Sequence, residues 1–201
     1  MMTLLFILFA YLIGSIPFSH ILPKIKGEDI REKGTRNIGA TNALVVAGPV
    51  IGALALVGDV GKGFLAIYLA QKYIVFPWGV ALVGLAAIVG HDFSLFLKFK
   101  GGKGVATTAG ALLALNPGFA IIILLLWILL ILISRYFIPS TIIIMGAIPI
   151  LMGVAGLRFE YIVFAGLAFL LGVYTHRADI QRLIEGKELN TSQSVRKFLN
   201  K

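Results

Sequence analysis

An all-α protein that crosses a membrane many times is predicted by three features of the sequence. The chain is 59% hydrophobic and only 13% charged, whereas soluble domains run about 45–50% apolar and about 25% charged. Its mean hydropathy is +0.96. Apolar runs recur at 1–22, 64–76, 78–96, 118–134, 138–156 and 161–175, with Lys72 and Asp92 the only Lys, Arg, Asp or Glu within them, and a spanning helix needs about 20 mostly apolar residues. No soluble domain interrupts them, so residues 1–201 read as a single integral-membrane domain. A cleaved leader is disfavoured for the first run, because no basic stretch precedes its apolar core and more spans follow.

Taken in order, Met1–Leu22 is the first span, and the polar segment 23–41 follows with Lys24, Lys26, Arg31, Lys33 and Arg36. Residues 40–58 are apolar but broken at Gly48-Pro49, and they end at Asp59-Val60-Gly61-Lys62-Gly63. Charge decides how this stretch is read. If 40–58 does not cross, seven spans remain, and of the 18 Lys and Arg only Lys72 and Arg158 fall on the outer side. If it does cross, the basic loops scatter over both faces, against the rule that basic residues gather on the cytoplasmic side. The expectation is therefore seven transmembrane helices plus a re-entrant half-helix hairpin at about 40–58. Such a hairpin is tolerated where it is buried in protein or lines a polar cavity. The N-terminus lies outside, and the polar motifs and the tail 177–201 face the cytoplasm. Val105–Leu115, about 16 Å long as a helix, is short for a span.

With no cysteine, disulfides, a thiol nucleophile and a Cys metal site are excluded, and the His and carboxylates show no metal-ligand spacing. The net charge of +9 points first to anionic lipid. Four polar clusters carry the chemistry. Gly34–Asn42 holds Thr35, Arg36, Asn37, Thr41 and Asn42, with Thr41 or Asn42 as candidate caps for a half-helix beginning at 43. Asp59 and Lys62 form the second, as a functional pair or a structural ion pair. The third is Lys100-Gly101-Gly102-Lys103-Gly104. Glycines there leave backbone N–H groups open to an anion at the start of a helix, between two ammonium groups. Its spacing is not that of a P-loop, so nucleotide hydrolysis is not supported. The fourth is His176–Glu188. As a helix, it puts His176, Asp179 and Leu183 on one face and Arg182 with Ala178 and Gln181.

Together these motifs resemble the integral-membrane glycerol-3-phosphate acyltransferases that use acyl phosphate, the PlsY family. The match comprises G-T-x-N-x-G-A-T-N at 34–42, D-x-x-K-G at 59–63, F-K-G-G-K-G-V-A-T at 99–107 and H-R-x-[DN]-I-x-R-L-x-x-G-x-E at 176–188, with Ser134-Arg135-Tyr136 before the sixth span. The chain departs from the family pattern at Val45 (commonly Arg), Asp179 (usually Asn) and Ser94 (commonly Pro). The resemblance implies acyl transfer from acyl phosphate to the 1-hydroxyl of sn-glycerol 3-phosphate, giving lysophosphatidate and phosphate. This is the first acylation of bacterial phospholipid synthesis, at the bacterial inner membrane, and it needs no cofactor.

Site roles follow as expectations. His176, Lys103 and Asn37 are the catalytic candidates. Thr35, Arg36, Thr41, Asn42, Lys100, Gly101, Gly102, Gly104, Arg182 and Glu188 are the substrate-binding ones. His176 is the general base by side-chain type, with a substrate phosphate oxygen as the other possible acceptor. Expected partners are the two substrates, membrane lipid and a docking soluble enzyme that makes acyl phosphate; nucleic acid is not one. A small membrane transporter of phosphate-bearing anions or lipids is the alternative, since transporters also use broken helices with polar ends.

Overall fold

The computed structural model describes residues 1–188, 190 and 193, so the tail cations Arg196, Lys197 and Lys201 lie outside the described residues. Ten α-helices are present among the described residues: α1 (Met2–Ser15), α2 (Phe18–Ile25), α3 (Ala40–Ala47), α4 (Pro49–Tyr73), α5 (Pro77–Asp92), α6 (Val105–Leu115), α7 (Pro117–Ser134), α8 (Phe137–Val154), α9 (Phe159–Thr175) and α10 (Arg177–Ile184). A 3-10 turn occupies Leu95–Leu97. Proline opens α4, α5 and α7, where its missing N–H costs nothing and its fixed φ suits the first turn. The chain divides into two compact units, Met1–Pro117 and Gly118 onward.

Five helical stretches are long and apolar enough to cross a membrane: Met2–Ile25, Pro49–Tyr73, Pro77–Leu97, Pro117–Ser134 and Phe137–Val154. The pair α9–α10, bent by 62°, makes a sixth if counted as one span. Hydrophobic side chains stay exposed along these helices, Leu132 and Ile133 among them, which suits a lipid solvent. The count is thus five or six, and α6, with 11 residues, falls short.

The expected hairpin at 40–58 is corrected. The break is where the sequence puts it: α3 ends at Gly48, whose φ is +91°, and Pro49 follows. The second arm, however, does not stop at 58. α4 continues unbroken for 25 residues through Asp59 and Lys62, about 37 Å. Gly58, Gly61 and Gly63 do not end it, because each Gly weakens a helix interior by only about 1 kcal/mol relative to Ala, and Gly58 and Gly63 gain close packing against Phe18 and Thr107. A Cβ on Gly63 would strike the Thr107 carbonyl, and one on Gly110 the Val60 carbonyl. These two glycines let α4 and α6 approach backbone to backbone, as small residues do in membrane helix pairs. Gly14 and Gly90 do the same for α1 and α5.

The first span is itself broken at Ile16-Pro17. The His20 and Ile21 N–H groups both donate to Pro17 O, so the Ile16 carbonyl loses its helical donor and takes the Phe18 N–H at 3.2 Å instead. Ser94 Oγ donates to Ser15 O at 2.5 Å and Lys62 Nζ to Ile16 O at 2.9 Å. Side chains from α4 and the end of α5 thereby satisfy a helix break that apolar surroundings would otherwise make costly.

In the second unit Trp127 packs edge-on against Phe137 and donates through Nε1 to Thr141 Oγ1 at 3.1 Å, joining α7 to α8. The turn between them carries Ser134, Arg135 and Tyr136, with Arg135 at φ +62° and Ser134 Oγ 2.8 Å from Ser140 Oγ.

Candidate active site

The first unit holds three of the four polar clusters. In segment 34–42, Asn42 is 1% exposed, and its amide serves the protein's own backbone. Nδ2 donates to Ile30 O (2.8 Å), Lys33 O (3.2 Å) and Asn37 O (3.0 Å), while Oδ1 accepts from Thr35 N–H (2.9 Å). Asn42 is thus a bracket folding residues 30–42, and its expected substrate contact is corrected: no donor or acceptor of its side chain faces outward. Nor does it cap a helix. α3 starts at Ala40 with Gly39 as N-cap and no side-chain cap, which also removes Thr41 from that role. Thr35, Arg36 and Thr41 are exposed and Asn37 is half-buried. Thr35 Oγ1 accepts from Asn37 N–H at 3.4 Å, and Arg36 turns the chain at φ +60°.

This segment meets the glycine loop at Gly102. A Cβ there would overlap the His91 ring and lie 2.7 Å from Ile38 O. A Cβ on Gly101 would overlap the His91 carbonyl, and Gly104 sits at φ +75°. The loop's first purpose is therefore close approach. The expectation that its N–H groups stand open to an anion is corrected at two positions: Gly101 N–H donates to Asp92 O (2.9 Å) and Gly102 N–H to His91 O (3.0 Å). The end of α5 takes them because its last carbonyls lack helical donors. The positive end of α6 remains, with Gly104 as N-cap and no side-chain cap. Lys103 is half-buried beside it and Lys100 is exposed.

Asp59 and Lys62 are 1% and 3% exposed, with Lys62 Nζ 2.9 Å from Asp59 Oδ1. Ser19 Oγ donates to Asp59 Oδ2 at 2.5 Å, and His91 Nδ1 lies 3.6 Å from Oδ1. Thr107 Oγ1 donates to the Asp59 carbonyl at 3.1 Å. Asp92, next to His91, is also buried, and both its carboxylate oxygens lack a hydrogen-bond donor. They lie 3.1 and 3.2 Å from where a Gly104 Cβ would stand, close to the favourable end of the α6 dipole. Sequence reasoning missed Ser19, Ser94 and Thr107. Their signal was a hydroxyl on an otherwise apolar span.

Outside the spans, the Arg31 guanidinium beside Asp29 (Nη2 to Oδ2, 2.5 Å) holds the Asp29 carboxyl well below the usual carboxylate range.

In the second unit His176 sits at the α9–α10 junction, 2% exposed, and its Nδ1 is 2.8 Å from Gly172 O. A carbonyl only accepts, so Nδ1 is the donor in this contact. Arg182 ion-pairs with Asp179 and reaches Glu188 Oε2 through Nε at 3.3 Å. α10 is helical over Arg177–Ile184, as expected, and the long Arg182 side chain reaches toward Asp179, one helical turn back.

A family model for glycerol-3-phosphate acyltransferase matches residues 4–186. Among curated proteins, the glycerol-3-phosphate acyltransferase 2 of Moorella thermoacetica is 42% identical over 188 residues, 93% of this chain and 96% of that one. The glycerol-3-phosphate acyltransferase of Aquifex aeolicus is 36% identical over 189 residues, covering 94% and 98%. A crystal structure of PlsY (YgiH), an integral membrane glycerol 3-phosphate acyltransferase in its glycerol 3-phosphate form, superposes with a TM-score of 0.90 at 36% identity, covering 94% of this chain and 96% of that one. Its lysophosphatidic acid form gives 0.89 at 33% identity, covering 97% and 99%.

The chain belongs to the glycerol-3-phosphate acyltransferase family.

It is an integral-membrane enzyme of the PlsY type, and the transporter alternative is set aside. Within this acyltransferase the first unit gathers segment 34–42, the glycine loop and the Asp59 cluster, and the second carries His176, Arg182 and Glu188. Among the described residues no group of three or more His, Cys, Asp or Glu is placed to hold a metal ion.

Proposed function

We propose that the enzyme transfers a fatty acyl group from acyl phosphate to the 1-hydroxyl of sn-glycerol 3-phosphate, releasing lysophosphatidate and phosphate. The hydroxyl oxygen bonds to the acyl carbon, the bond from that carbon to the phosphate oxygen breaks, and the hydroxyl proton leaves to a base. The observation that carries this reading is the loop 99–107, pinned to the end of α5 so that Lys103 stands beside the uncapped N-terminus of α6. Phosphate is a good leaving group, so positioning and charge stabilisation supply most of the catalysis. Lys103 and the α6 N-terminus, with Gly104, hold the acyl phosphate and neutralise the departing phosphate. Gly101 and Gly102 keep that backbone close, while Lys100, Thr35, Arg36, Asn37 and Thr41 contribute the remaining polar contacts. His176, its ring oriented by the contact of Nδ1 with Gly172 O, accepts the proton, and Arg182 and Glu188 serve the glycerol 3-phosphate side. Relatives solved with glycerol 3-phosphate and with lysophosphatidic acid support acceptor and product.

The same reading takes residues 1–201 as one domain of the bacterial inner membrane. It crosses seven times, α6 being the short crossing, with the N-terminus outside and the site facing the cytoplasm, where a soluble acyl-phosphate-producing enzyme docks. The test is phosphate release by the purified protein in detergent, with acyl phosphate as donor. Release that depends on glycerol 3-phosphate is expected; release indifferent to it, or none, overturns the proposal.

A further inference from the structure

Asp59 touches both ends of the glycine loop. Its carboxylate faces His91 Nδ1 at 3.6 Å, at the end of α5 where the loop begins. Its carbonyl accepts from Thr107 Oγ1 at 3.1 Å, in the first turn of α6 where the loop has ended. The opposite edge of the His91 ring lies against Gly102, leaving no room for a Cβ, and the His91 carbonyl holds the Gly102 N–H at 3.0 Å. Lys62 Nζ fixes Asp59 Oδ1 at 2.9 Å and is fixed by Ile16 O at 2.9 Å. Ser19 Oγ holds the other carboxylate oxygen. α2, α4 and α5 thus meet at the Asp59 carboxylate, α6 holds its carbonyl, and the end of α1 is tied in through Lys62.

A buried ion pair is a poor way to stabilise a fold, because an apolar pair of similar volume often does as well or better. Inside a membrane, ionisable side chains are costlier still and are by default functional. The charges therefore need a purpose beyond holding helices together, and directional contact with both ends of one loop supplies it.

We infer that Asp59, Lys62 and His91 are positioning residues for the acyl transfer: the Asp59–Lys62 pair aims the His91 ring, and the ring sets Gly102 and thereby Lys103. None of the three touches substrate in this scheme, which rests on the loop's role as the acyl-phosphate site. Small displacements matter at such a site, since a shift of about 1 Å in a reacting group can cost about 100-fold.

The test compares two double variants. Asp59→Leu/Lys62→Met removes both charges together and leaves no ion unpaired. Asp59→Asn/Lys62→Gln keeps the hydrogen-bonding shapes. For the apolar pair, an unchanged thermal midpoint is expected together with a KM for acyl phosphate raised by up to about 100-fold, an unchanged KM for glycerol 3-phosphate, and faster amide exchange at Gly101 and Gly102. The amide pair should recover most of the loss. An apolar pair with wild-type KM and wild-type exchange overturns the inference. If that variant does not fold, His91→Phe decides, because it keeps the ion pair and the ring bulk but loses the contact with Asp59. Faster exchange and raised KM are expected, and wild-type values for both overturn the inference. Lys103→Ala is the control on the loop itself. If it leaves KM for acyl phosphate unchanged, the acyl-phosphate assignment of the loop fails, and amide exchange alone then judges whether Asp59 and His91 position it.

Discussion

Asn42 and His176 are both buried polar residues in family motifs, yet their surroundings give them opposite duties. Asn42 directs its whole amide to backbone groups between residues 30 and 37. Removing it strands buried carbonyls, and leaving such groups unmade costs about 1–3 kcal/mol each. Asn42→Ala should therefore lower the thermal midpoint, whereas Thr41→Ala, at an exposed neighbour, should leave it near the wild-type value. His176 instead gives a single ring N–H to a backbone carbonyl, Gly172 O, and its proposed duty is to take the hydroxyl proton. His176→Ala should lower kcat by about 10²–10⁴, the usual worth of a general base, and abolish the acid limb of the kcat/KM profile. An unchanged acid limb would assign the proton to a substrate phosphate.

At the scale of elements, glycine in the loop 100–104 serves close approach more than ligand access. Gly102→Ala has to displace both the His91 ring and Ile38 O. Because one of these is backbone, the loop itself must move. A fall in kcat/KM of about 100-fold is expected from such a misplacement, with little change in the thermal midpoint. The turn 27–34 answers to pH. Asp29 has its folded-state pKa depressed by Arg31, so it binds its proton more readily in the unfolded chain. Its stabilisation is present above the unfolded value of about 4 and is lost as pH falls below it. Asp29→Asn should flatten the decline of the thermal midpoint on the acid side, and the two proteins should converge at the lowest pH.

At the scale of the molecule, topology is the open variable, and the absence of cysteine makes it simple to test. Glu28→Cys and Arg158→Cys each introduce one thiol on an otherwise thiol-free chain. An impermeant reagent applied outside intact cells should label position 158 and spare position 28. The reverse pattern would place the glycine loop on the wrong face for a cytoplasmic donor.

The sequence by itself determined that the protein is helical and membrane-spanning, because hydropathy does not depend on how helices pack. It also located the break at Gly48-Pro49, since proline chemistry is local, and it marked the four clusters and the family. It misjudged what lies beyond that break: the glycines 58, 61 and 63 read as a helix end, but α4 runs through them, with Gly63 packed against α6 and Gly58 against Phe18 of α2. Likewise Asn42, Gly101 and Gly102 read as ligand groups, although their hydrogen bonds go to backbone groups elsewhere in the first unit. Whether a polar atom faces a substrate or a neighbouring carbonyl depends on contacts distant in sequence, such as Asp59 with His91 and Gly102 with Ile38. Only the tertiary structure settles those.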